Sequence, residues 1–264
     1  MNAIDISISG LLFGVLLVAP CLILIWQLRL GFNKQFGIAV LRMLIQLGFV
    51  AVYLKYIFLL NNAFINIAYV VLMVLIAAFS AIRTSNLNVK KLWFPTFLSM
   101  LFPSLFTLFY FNLSIVRLEN LFQAKILIPV AGLMLGNTLK SNIVALKTFF
   151  NQARKENKTY LYLLASGANR MEAARPFIKE SIRTAMAPNI ATMATVGLVS
   201  RPGVMTGQIL GGSYPVLAVN YQVMVIIFVF FNSLLSNLLQ LFLVVKKGYD
   251  KQDRLEKGIM KKTS

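Results

Sequence analysis

The stretch FINIAYVVLMVLIAAFSAI, Phe64 to Ile82, carries no charged residue and gives way at Arg83. As a helix rising about 1.5 Å per residue it is long enough to cross a hydrocarbon core roughly 30 Å thick. Its apolar residues are consecutive rather than alternate, which sets aside the strand of a membrane barrel. Backbone polar groups in lipid must be paired within the protein, and a helix does this alone. Similar runs extend from Ile6 to Leu28, Phe36 to Leu54, Leu92 to Phe111, Ile126 to Leu146, Ala185 to Leu210 and Val216 to Val245. The expected fold is all-α: a polytopic helical membrane protein of about seven transmembrane helices in one domain over residues 1–264. The composition agrees, at 58% hydrophobic residues and a mean hydropathy of +0.75 over 264 residues, too apolar for a soluble domain. Asp5 rather than a basic cluster precedes the first run, which therefore reads as a retained span and not a signal peptide.

A net charge of +18 would point to nucleic acid in a soluble protein, but here its distribution reports topology and no nucleic-acid partner is expected. Arg29 and Lys34 follow the first run, Arg83, Lys90 and Lys91 the third. The segment from Lys147 to Arg183 and the tail from 246 to 264 are richer still. The alternate loops carry only Lys55, Arg117 and Lys125. The positive-inside rule places the N-terminus outside and the C-terminus in the cytoplasm, as an odd number of spans requires.

Several features bear on function. The segment 147–183 reads as helix, break at Gly167, helix, with an apolar stripe of Leu161, Leu164, Ala165 and Ala168 continued by Met171, Ala174, Phe177 and Ile178. It is either a basic surface lying along anionic headgroups or a docking element for a cytoplasmic subunit. Arg42 and Gln46 share one face of the second span, where an ionisable group either snorkels to the interface or faces protein and water. Arg201, Pro202 and Gly203 interrupt the sixth run, so a helix break is expected there. Gly203, Gly207 and Gly211 form tandem small-xxx-small spacing that suits close helix packing, while Met205, Thr206 and Gln208 project between them as possible substrate contacts. Gly132 and Gly136 repeat that spacing ahead of Asn137, Thr138 and Lys140. Asn232, Ser236 and Gln240 give the last span a polar face, for packing or for a path.

Absences narrow the chemistry. The chain has no histidine, one cysteine (Cys21) and eight carboxylates, none inside an apolar run. No metal site, catalytic residue or cofactor is expected, and a carboxylate proton relay is disfavoured. A GxxxxGK[ST] phosphate loop and a GxSxG elbow are both missing, so the chain is not expected to be an enzyme.

GLMLGNT (Gly132 to Thr138), LLASGANRMEAARPFIKESIRTAMAPNIATMATVGLVSRPGVMTGQILGG (Leu163 to Gly212) and NYQ (Asn220 to Gln222) resemble the FetB-type iron-export ABC-transporter permease family. RMLIQL, Arg42 to Leu47, resembles the Arg-x-x-x-Gln element of the same family, which is related to plant aluminium-tolerance permease subunits. The resemblance covers nearly the whole chain and is densest from Gly132 to Gln222. It implies a multi-pass permease of the cell (inner) membrane that dimerises and couples to a separate cytoplasmic ABC ATPase, ATP and Mg being used by that partner. It implies an exporter in iron or metal homeostasis, with the segment around Gly167, Ala168 and Glu172 docking the ATPase. Arg42, Gln46, Asn137, Arg201, Met205, Thr206 and Gln208 are then the candidates to line or gate the path.

The chain departs from that pattern twice. Leu161 stands six residues before Gly167, where the Glu-Ala-Ala loop of other ABC permeases has its glutamate. Arg201 precedes Pro-Gly where the family is expected to have an apolar residue. A cation in the path repels a bare metal ion by several kcal/mol at about 4 Å and an effective permittivity near 20, which points to an anionic or chelated species. Two rival readings remain open: a carrier or channel that works without ATP, and a non-transporting membrane scaffold whose basic loop recruits a partner.

Overall fold

The computed structural model describes residues 7–116, 123–197, 203–250, 252, 255, 256 and 258–260. The described chain is helical, in the order α1 (Ile8–Leu16), α2 (Val18–Gln27), α3 (Asn33–Leu60), α4 (Ala63–Thr84), α5 (Val89–Tyr110), α6 (Ala124–Lys155), α7 (Asn157–Ala165), α8 (Arg170–Thr195), α9 (Gly203–Leu210) and α10 (Pro215–Gly248), with a π-helical turn over Phe111–Val116 after α5. Six helical stretches are long and apolar enough to cross a membrane: Ser9–Gln27, Asn33–Leu60, Ala63–Thr84, Val89–Leu113, Ala124–Lys155 and Pro215–Gly248. The first of these is two helices, because Pro20 has no N–H for the Leu16 carbonyl and its ring crowds that turn.

The seventh crossing is the interrupted one. α8 carries charge from Arg170 to Arg183 and none from Thr184 to Thr195. Its apolar half stops at Thr195, and the run resumes as the separate eight-residue α9. Extended backbone at Val196 ends α8, ahead of the expected break. Arg201 and Pro202, to which the sequence assigned it, lie outside the described residues.

α4, α5, α6 and α10 form the bundle, and α8 packs on α6 and α10. Val70, Leu108, Phe111, Met134 and Phe228 make one end of its core, and Val74, Ala78, Met100 and Leu135 the middle. Ile82, Leu146, Phe149, Phe150, Tyr160, Phe177, Leu241 and Val245 make the other end. α6, at 32 residues, is about 48 Å long, longer than a hydrocarbon core of roughly 30 Å requires. Arg83, Lys90, Lys91, Arg154, Lys155, Lys246 and Lys247 lie at that same end.

α3 has no buried residue. It is tied to α4 by a hydrogen bond between the Tyr53 and Tyr69 hydroxyls and to the start of α6 through Asn61, whose side-chain oxygen accepts from the Ala124 N–H at 2.9 Å. Asn61 itself sits at φ 39°, the left-handed region that asparagine tolerates at a helix end.

Candidate functional site

Helix spacing puts Arg42 and Gln46 one turn apart on α3 and Ser80 and Arg83 one turn apart on α4. The fold brings both pairs to one cleft of about 540 Å³, whose floor is α6 at Gly132 and Gly136 and whose walls include Met73, Ile76, Phe79, Leu135 and Leu139. Among its lining residues the charges are two guanidiniums, with no carboxylate, histidine or cysteine. The two floor glycines differ. A Cβ on Gly132 would come within 3.3 Å of Met73 Cε, whereas one on Gly136 would meet nothing within 4 Å. Gly132 therefore lets α4 approach α6, and Gly136 leaves open the space above it. Asn137, next along α6, turns back on its own helix, its amide donating to the Leu133 carbonyl at 2.9 Å.

Met205, Thr206 and Gln208 lie on α9 at the opposite end of the bundle. Gln208 of α9 lines a pocket of about 340 Å³ with Lys125, Pro129, Val204 and Tyr221. Its side-chain oxygen is shielded from solvent and has no hydrogen-bond partner among the described residues. Met205 is half-buried and Thr206 exposed. No atom lies within 4 Å of a Cβ on Gly203 or Gly207, and one on Gly211 would meet the Gly207 carbonyl at 3.2 Å. Among the described residues, then, no second helix rests on Gly203 or Gly207. Of the sequence candidates, Arg42 and Gln46 line the α3–α4–α6 cleft and Gln208 the α9 pocket, whereas Asn137, Met205 and Thr206 line neither and Arg201 lies outside the described residues.

The polar face of α10 points into the bundle. Asn232, Ser233, Ser236, Asn237 and Gln240 are fully buried. The Asn232 amide donates to Thr138 Oγ1 at 2.8 Å and to Ser104 Oγ at 3.4 Å, the Asn142 amide donates to Ser236 Oγ at 2.8 Å, and the Asn237 amide donates to Ser141 Oγ. These bonds join α10 to α5 and α6, which is the packing use of such residues in lipid.

At the basic end the helix, break, helix element is present as α7, residues 166–169 and α8. Gly167 has φ +93°, a conformation that a Cβ disfavours, so glycine is what makes the turn between α7 and α8. Asn169 then caps α8. Its side chain accepts from the Glu172 N–H at 2.9 Å while the Glu172 carboxylate accepts from the Asn169 N–H at 2.8 Å, a reciprocal capping box. Six of the eight residues of the predicted apolar stripe are covered by the chain itself: Ala174 and Phe177 are buried, and Leu164, Ala168, Met171 and Ile178 pack partly against the same cluster. What faces outward is Leu161, Tyr162, Ala165 and Gly167, with Tyr162 71% exposed.

This element is fastened to the end of α10. The Arg170 guanidinium donates to the carbonyls of Lys246 at 3.3 Å, Tyr249 at 3.4 Å and Asp250 at 2.6 Å. Tyr160 of α7 packs on Tyr249 with ring centroids 4.9 Å apart. Burial, with Tyr160 beside it, pushes the Tyr249 phenol up, against the lowering by Arg170. The tail folds back across the same end. Ile259, 1% exposed, sits in the core cluster, the Asn88 N–H donates to the Ile259 carbonyl at 2.8 Å, and Lys91 pairs with Glu256 at 2.6 Å.

The sequence pattern described as "Uncharacterised protein family (UPF0014)" matches residues 8–249, from α1 to the end of α10. The chain belongs to that family. Its relatives include the "Probable iron export permease protein FetB" of Escherichia coli (strain K12), 29% identical over 99% of this chain and 100% of that one. "Protein ALUMINUM SENSITIVE 3" of Arabidopsis thaliana is 28% identical over 80% of this chain and 76% of its own length. The "UPF0014 membrane protein STAR2" of Oryza sativa subsp. japonica is 29% identical over 86% and 78%. No solved structure matches the chain. For this UPF0014 member, sequence reasoning counted Arg83 and Arg170 only as topology charges and passed over Ser80, Glu256 and Ile259. The i, i+3 spacing of Ser80 and Arg83 was the available signal, and nothing in the sequence said which helix would face it.

Proposed function

We propose that this chain is the membrane-spanning permease subunit of an ABC transporter, an exporter in iron or metal homeostasis that acts as a homodimer with two copies of a separate cytoplasmic ATPase. ATP and Mg are used by the partner, and the chain carries no catalytic residue of its own. The N-terminus is outside and the C-terminus cytoplasmic in the cell (inner) membrane, which puts the basic end of the bundle beside the ATPase.

The observation that carries this reading is the α7–Gly167–α8 element. It stands outside the hydrocarbon, offers Leu161, Tyr162 and Ala165 to a partner, and is anchored rather than free, through Tyr160, Phe177 and Arg170. A docking element needs both properties, an exposed apolar face and a stiff connection to the spans it drives. The names of the relatives supply the class of transporter and the metal. α1 to α3, with Ile25 their one buried residue among those described, leave apolar helix faces for lipid and for the second copy. Arg42, Gln46 and Asn137 on the inner side, and Met205, Thr206 and Gln208 on the outer side, line the two halves of an alternating path; Arg201, the remaining candidate, lies outside the described residues.

Cysteine cross-linking tests the docking assignment. In a Cys21→Ser background, Leu161→Cys or Tyr162→Cys co-expressed with the cognate ATPase gives a cross-linked heterodimer. A cysteine at Phe64, exposed at the other end of the bundle, gives none. Equal or absent cross-linking at all three positions would remove the docking assignment.

A further inference from the structure

The cleft between α3, α4 and α6 carries a chemical preference that the permease reading leaves open. Its polar groups are the two guanidiniums of Arg42 and Arg83, the Gln46 amide and the Ser80 hydroxyl, and the rest of its lining is apolar. Hard and borderline metal ions are held by carboxylate, carbonyl, imidazole or thiolate groups. None of His, Cys, Asp or Glu lines this cleft, and no cluster of three such residues occurs among the described residues. Two guanidiniums also raise the electrostatic cost of any bare cation there, in surroundings poorer in water than the bulk.

The same groups suit an oxyanion. Guanidinium offers planar, paired N–H donors that match carboxylate or phosphate oxygens, and it stays charged where an amine would lose its proton. Arg42 stands ten residues into α3 from Asn33, about 14 Å along the helix, so it reaches into the apolar run, whereas Arg83 lies in the last turn of α4. A ligand spanning both has its charge drawn inward from the basic end. The apolar walls and the vacant space over Gly136 then accommodate a hydrocarbon or chelate body beside the anionic group.

We infer that this cleft binds the oxyanion group, carboxylate or phosphate, of an amphipathic or chelating molecule, with Arg42 and Arg83 as its paired cationic ligands. It rests on the permease reading only in making this molecule cargo or a lipid of the path, a metal then travelling as an anionic chelate. Binding itself does not require the ATPase, so the experiment is done without it. The same variants are separately scored for ATPase complex formation, which makes failure of the cleft and failure of the permease reading distinguishable.

The purified permease in phosphatidylcholine nanodiscs is titrated with radiolabelled citrate and with ferric citrate. In parallel, retention of phosphatidylglycerol is read by native mass spectrometry from detergent. The Arg42→Gln/Arg83→Gln pair is expected to weaken at least one of these probes by roughly tenfold or more, since charge-assisted hydrogen bonds are lost. Gly136→Leu, which meets no atom within 4 Å at its Cβ, is expected to do the same by filling the cleft without lowering the melting temperature. Gly14→Leu, equally unobstructed but on α1, leaves binding unchanged. Loss of citrate binding assigns a soluble ligand, and loss of phosphatidylglycerol retention assigns a lipid headgroup. If both probes bind the arginine pair variant and Gly136→Leu as they bind the parent, or bind none of the three, the inference is overturned.

Discussion

Replacing Arg170 by alanine is expected to loosen α7 and α8 from the end of α10. The guanidinium makes one short bond, 2.6 Å to the Asp250 carbonyl, and two long ones of 3.3 and 3.4 Å to Lys246 and Tyr249. A charge-assisted bond contributes about 1.5 to 3 kcal/mol and a cation at a helix C-terminus about 0.3 to 1 kcal/mol. Arg170 is half-exposed, so screening favours the lower end, and the loss is about 2 kcal/mol. That corresponds to roughly 30-fold in the equilibrium for local opening. Hydrogen exchange followed by mass spectrometry is the assay, reading peptides across α7 and across 246–250. Both regions lose protection together by about that factor, while α4 and α5 keep theirs. Arg170→Lys, a point charge that cannot span three carbonyls, falls between the two. On the proposed reading the ATPase still binds the variant but transport per ATP hydrolysed declines. Unchanged protection in either region would refute the claim that Arg170 fastens α7 and α8 to α10.

Three other perturbations probe separate parts of the account. Gly167→Val forces a β-branched residue to φ +93° at a cost of at least about 1 to 2 kcal/mol, and is expected to weaken ATPase co-purification while membrane insertion stays normal. Asn232→Leu breaks the bonds to Thr138 and Ser104, and at about 0.6 kcal/mol per interhelical bond in lipid it lowers thermal stability by roughly 1 kcal/mol without touching ATPase binding. Ile259→Ala empties a site 1% exposed. Core truncations of this kind cost about 2 to 5 kcal/mol, more than a short tail can retain, so limited proteolysis is expected to cut near residue 250 in the variant and not in the parent.

The chain's hydropathy carries the fold because lipid selects for it span by span: the apolar runs became helices, the first divided into α1 and α2 at Pro20. The turn at Gly167 was legible as well, from the glycine alone. Local signals of this kind need no partner. What the sequence could not express is which helix faces which. Arg42 and Gln46 were visible as a pair, but Ser80 and Arg83 complete the cleft only because α4 packs on α6. The polar face of α10 was visible too, though not its mates Ser104, Thr138, Ser141 and Asn142, which are scattered over two other helices. The apolar stripe of α7 and α8 was mostly misjudged as a free surface, because Phe177 and Ala174 turn toward a core that α6 and α10 build from distant stretches. Arg170 was counted as topology because its partners are backbone carbonyls, which have no sequence signature.

Energy coupling of transport is the claim on which the rest depends. The chain is reconstituted with its cognate ATPase in proteoliposomes, and flux of ferric citrate is measured with and without ATP and Mg. The account predicts a stable complex, hydrolysis stimulated by the permease, and flux that needs ATP and fails with Gly167→Val. Flux of the same rate from liposomes holding the permease alone, or no complex and no stimulation of hydrolysis, would contradict it.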